Sequence, residues 1–176
     1  MNEITYCVEV ADMKAFQRHH RRVSPAIRRM RIFMYLFFIG LSLDSTLRHE
    51  NGSLGFRIVY FLIMLGFLVG LGLVISLVTN WIVNYRAYSE GDRQGILGEH
   101  TVTLFPDLLQ ERTVVNDTKA AWRGIHRIDS TTDHIFIFTQ PNAAHSIPRR
   151  AFATHADAEQ FLSVARAYHE AAQKSA

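Results

Sequence analysis

The chain has 176 residues, 48% of them hydrophobic, with 19 Lys/Arg against 16 Asp/Glu. That is enough for one membrane hairpin and one small soluble domain. Basic charge is concentrated at the start, seven Lys/Arg against three Asp/Glu over 1–31, and is balanced by nine against ten over 91–176. This excludes the basic folded face that nucleic-acid binding needs.

Residues 1–31 read as a cytoplasmic strand followed by a basic amphipathic helix. Glu3 to Val10 alternates, with Ile4, Tyr6, Val8 and Val10 on one face, the pattern of a half-buried strand. A lone strand leaves its backbone unpaired, so it is expected to join a sheet formed later in the chain. Cys7 is the only cysteine; no internal disulfide can form, and a small buried hydrophobe is the expected role. Asp12 reads as a helix N-cap. Met13, Phe16, His20 and Val23 then recur at helical spacing opposite Lys14, Arg18, Arg21 and Arg22. Two readings stay open for this helix, lying on anionic lipid or packing on the soluble domain. Ser24-Pro25 ends or bends it.

Residues 32–85 read as a two-helix transmembrane hairpin. Ile58–Val83 is 26 residues without a charge, more than the roughly 20 that cross a bilayer core. The run from Ile32 to Leu47 is shorter, about 24 Å as a helix; its length alone suits a re-entrant segment, and it is read as a span because Arg28, Arg29 and Arg31 flank one side and Asp44 and Arg48 the other. Asp44, near its outer end, is read as pairing with Arg48 at i,i+4, with a proton-relay role as the functional alternative. Asn51-Gly52 signals the turn between the spans. Six arginines precede the first run and two lie in the connection. Both termini are therefore expected in the cytoplasm. Gly66 and Gly70, and likewise Gly72 and Ser76, lie four apart and suit close helix packing, either within the hairpin or in a homodimer. Trp81 and Tyr85 mark an interfacial belt.

After a flexible connection at Gly91, Gly95 and Gly98, residues 91–176 read as a cytoplasmic domain. Strands are expected at 101–105, 108–115, 120–122, 125–130, 135–139 and 144–147, separated by turns such as Pro106-Asp107 and Pro141-Asn142. Thr154 with Asp157 three later opens a helix, whose Ala158, Phe161, Leu162, Ala165 and Tyr168 form one stripe. The economical fold is α+β: a transmembrane helical hairpin plus a small bent antiparallel sheet capped by a C-terminal helix.

The basic stretch ending in Ser24-Pro25, the two spans, Trp122 with Ile125, and Ser146-Ile147-Pro148-Arg149-Arg150-Ala151-Phe152 before the last helix resemble the YcxB-like bacterial membrane proteins. The resemblance is drawn over nearly the whole chain. It implies an inner-membrane protein whose cytoplasmic domain is pleckstrin-homology-like, and it brings no enzymatic activity, cofactor or functional residue with it.

The histidines lack metal-ligand spacing, and no nucleophile or phosphate-loop motif is present; no catalytic, cofactor or metal residues are expected. Arg149 and Arg150, with Arg123 and Arg127 extending a basic rim, are candidates for contact with a lipid headgroup or an acidic partner, against a plain solvated turn. Trp122 reads as core. The expected function is a non-enzymatic interaction or regulatory module that binds a protein or a lipid headgroup. The alternative is an accessory subunit of a membrane transport or enzyme complex.

Overall fold

The computed structural model describes residues 2–47, 53–90 and 96–174. Arg48, the Asn51-Gly52 turn, Gly91 and Gly95 lie outside these residues. Contacts divide the chain into two units, Met1–His20 with Tyr88–Ala176, and Arg21–Ala87.

In the first unit, strand β1 (Glu3–Val8) buries Ile4, Tyr6 and Val8 and exposes the residues between them. Cys7 is one of the exposed ones, because alternation places it opposite the core-facing set. β1 pairs antiparallel with β2 (Gly98–Leu104), Ile4 opposite Val102. β3 (Leu108–Thr113) and β4 (Asp117–Ala121) complete a sheet of order β1-β2-β3-β4. Gly98 starts β2 at φ +103°, a backbone angle that side chains with a Cβ rarely adopt.

The expected bent sheet is divided in two. β4 ends at Ala121, and a 3-10 turn over Trp122–Gly124 follows. There Trp122 is fully buried, its indole N–H donating to the Phe105 carbonyl at 2.8 Å. β5 (Arg127–Ser130), β6 (His134–Gln140) and β7 (Ala143–Pro148) form the second antiparallel sheet. A second 3-10 turn, Arg149–Ala151, leads to α4 (His155–Lys174). Its start is a reciprocal box: the Thr154 N–H donates to Asp157 at 3.0 Å and the Asp157 N–H to the Thr154 hydroxyl at 3.1 Å.

β6 is buried on both faces. Ile135 and Ile137 join the main core with Val102, Leu104, Leu109, Ile147 and the α4 residues Phe161, Leu162 and Ala165. Phe136 and Phe138 point the other way, toward α1 (Val10–Val23), where Phe16 meets both rings at 5.9 and 5.8 Å. Over its first part α1 thus packs on the domain, the second of the two readings above. Asp12 is not the N-cap. It lies one turn in and accepts the Glu9 N–H at 2.8 Å, the returning half of a capping box whose cap is Glu9.

The second unit holds α2 (Pro25–Leu47) and α3 (Leu54–Glu90). Pro25 takes the first helical position, where its missing N–H costs nothing. Among the described residues one helical segment, Leu54–Thr79, is long and apolar enough to cross a membrane, and none of it is buried. α2 also leaves large apolar side chains exposed, among them Phe33, Leu36 and Leu43. The two helices touch: the Ser42 hydroxyl donates to the Phe61 carbonyl at 3.0 Å.

Candidate functional site

Three polar clusters lie in the first unit. In the first, Glu111 on β3 bridges two imidazoles. Its carboxylate meets His100 Nδ1 on β2 at 3.0 Å and His145 Nδ1 on β7 at 2.9 Å. The bridge joins a residue of each sheet. Burial pushes the Glu111 carboxyl up, but hydrogen bonds from His100 and His145 outweigh it and hold it down at about 2. Tyr6 stacks on His100 with ring centroids 5.8 Å apart; burial, then the charges of Glu111 and Asp12, push its hydroxyl up. The outer Nε2 atoms of both imidazoles, the Ser146 hydroxyl and the Tyr6 hydroxyl are buried without a hydrogen-bond partner among the described residues. This concentration of unmet polar groups is costly in a core. A groove of about 440 Å³ reaches this cluster, walled on its apolar side by Val8, Met13 and Phe16.

The second cluster ties α1 to the domain. Arg150 forks onto Asp12, with Nη1 to Oδ1 at 2.6 Å and Nη2 to Oδ2 at 2.8 Å. His134 Nε2 meets Asp12 Oδ1 at 2.8 Å, and Arg150 also pairs with Glu9 at 3.1 Å. Asp12 is fully buried. Burial would raise its carboxyl; the Arg150, Glu9 and His134 hydrogen bonds prevail and lower it to about 2. In the third cluster His19 on α1 meets Asp129 on β5 at 2.8 Å. Arg127 pairs with the same carboxylate at 3.0 Å and lies 3.7 Å above the Phe138 ring. Asp129 is lowered, its burial outweighed by His19 and Arg127. His20 is lowered by burial, then by the charges of Arg127 and His19.

The candidate arginines are therefore mostly engaged inside the chain. Arg150 holds Asp12. Arg149 donates to the Thr131 carbonyl, the Ser130 hydroxyl and Glu159 at 2.9, 2.7 and 2.8 Å. Arg127 is taken up by Asp129 and Phe138, and Arg123 is exposed on the Trp122–Gly124 turn, as is part of the Arg150 side chain. A Cβ added at Gly66 or Gly70 would meet no described atom within 4 Å, whereas one at Gly72 would lie 3.0 Å from the Phe38 ring. Close packing within the helix pair thus falls to Gly72 rather than to Gly66 and Gly70. Asp44 lies near the end of α2. No cluster of three or more His, Cys, Asp or Glu suited to a metal ion occurs among the described residues. Local spacing gave no sign of the His100–Glu111–His145 bridge, since its members come from three strands.

A family model described as YcxB-like protein matches residues 111–165. The match includes Trp122, Ile125 and the Ser146–Phe152 stretch. It bears out the family resemblance over β3 to the middle of α4, and leaves the basic N-terminal stretch and the helix pair outside it. No curated protein and no solved structure matches the chain.

Proposed function

We propose that this chain, YcxB-like over residues 111–165, is a membrane-anchored interaction module without enzymatic activity, whose α+β domain binds a segment of a protein partner. The observation that carries this reading is the groove above the His100–Glu111–His145 bridge. An apolar wall beside a carboxylate and two imidazoles suits a peptide that offers an apolar side chain next to a hydrogen-bonding one. A headgroup phosphate fits less well, because Arg149 and Arg150 already donate to Glu159 and Asp12. A four-stranded sheet completed by β1, then a three-stranded sheet and a closing helix, supports the pleckstrin-homology-like reading. We read α2 and α3 as the anchor, as two spans, and the arginine bias supports a cytoplasmic position for both termini in a bacterial cell.

Photo-cross-linking in native membranes tests the partner. A cross-linker replacing Met13, which lines the groove, is expected to give a discrete protein adduct. A cross-linker at Ser163, exposed on α4, is expected to give none, and Glu111→Gln should weaken the Met13 adduct. Equal labelling from both positions, or adducts with lipid only, would overturn the reading. Orientation is read from the exposed Cys7. A membrane-impermeant maleimide is expected to label it only after the cells are permeabilised.

A further inference from the structure

Val114 and Val115 form the tip between β3 and β4, 91% and 56% exposed. Two adjacent β-branched apolar side chains in water are a poor choice for a hairpin tip unless something covers them. The register says which end of the sheet they occupy. Thr113 lies opposite His100, and Val8 lies opposite Gly98. The tip therefore shares the sheet end at which the chain enters β2 from α3. Only seven residues separate Glu90, the end of α3, from Gly98, a reach of at most about 29 Å. Ile96, in that connection, is also exposed.

The tip is chemically prepared for an apolar surface. The charges at its base, Arg112 and Asp117, pair with each other at 3.5 Å. Between them, 113–116 carries no ionisable group. Three of its four backbone donors are met internally: the Val115 and Asn116 N–H groups donate to the Thr113 hydroxyl at 3.3 and 3.0 Å, and the Thr113 N–H to the Asn116 carbonyl at 2.8 Å. A turn that satisfies most of its own backbone donors loses less on leaving water than an open loop does.

We propose that the Val114–Val115 tip, assisted by Ile96, seats in the headgroup–acyl boundary of the bilayer that α3 crosses, giving the domain a second contact with lipid. The proposal rests on α3 being a span, as in the reading above; Ile96 and Asn116 also line the groove, so the tip contact would hold that groove beside the lipid surface.

The test uses the full chain with Cys7→Ser, in nanodiscs containing nitroxide-labelled lipid. Single cysteines are introduced as Val114→Cys, as Asp107→Cys at the opposite end of the sheet, and as Leu73→Cys in the middle of α3, each carrying an environment-sensitive fluorophore. Quenching several-fold stronger at positions 73 and 114 than at 107 is expected. Strong quenching at 73, with 114 no different from 107, overturns the tip contact and leaves the anchor standing. Absence of quenching at 73 overturns the anchor and the tip contact with it.

Discussion

Arg150 holds a carboxylate that the fold has taken out of water. Asp12 retains its charge because both oxygens accept from the Arg150 fork, with His134 and the Glu9 N–H adding to it. Removing one partner of such a pair leaves the other buried and uncompensated. Arg150→Ala is therefore expected to cost about 3 kcal/mol, measured by denaturant unfolding of the domain. A loss within error of zero would mean that the pair forms without stabilising the fold. The same reasoning gives a pH dependence. Glu111 and Asp12, ordinarily near 4.5 and 3.8, are both held at about 2 in the fold. A carboxyl depressed in this way stabilises the fold fully above its unfolded value, and that contribution is lost as pH falls through the folded value. The thermal midpoint is expected to drop between about pH 4.5 and about pH 2, and Glu111→Gln should remove part of the drop. Neither cluster was legible in the sequence. Arg150 stands among residues that give it no local acid, and its partner lies 138 positions earlier.

At the scale of elements, the sequence pattern was more informative. Period-two alternation identified β1, and the need to pair its backbone required the sheet it joins. Deleting residues 2–8 bares the edge of β2 and removes Ile4, Tyr6 and Val8 from the core. The remaining domain is expected to unfold at markedly lower denaturant; an unchanged midpoint would show β1 to be dispensable. The α4 stripe and its Thr154–Asp157 box were legible because both signals are local. The break into two sheets was not, because it depends on Trp122 being drawn inward to reach the Phe105 carbonyl. Nor did spacing decide what α1 covers. Its apolar face suits lipid and protein alike, and the outcome rests on Phe136 and Phe138, rings on the far side of a strand buried on both faces. Phe16→Ala should cost about 2 kcal/mol, less than for a fully buried ring, since Phe16 is only half-buried. Hydrogen exchange should then quicken in α1 before β2 and β3.

On the scale of the whole molecule, one sheet is assembled from segments on either side of the helix pair in sequence. Ile4 and Val102 pair across the entire helix pair. In synthesis β1 leaves the ribosome before α2, α3 and β2 and waits, an unpaired edge, until β2 follows. If both helices are inserted as spans, β1 and β2 meet only when both lie on the same side of the bilayer. A chain in which one helix fails to insert strands β1 across the membrane from its partner, with three core positions empty. On that condition, completion of the domain would act as a check on insertion, leaving wrongly threaded copies as substrates for proteolysis.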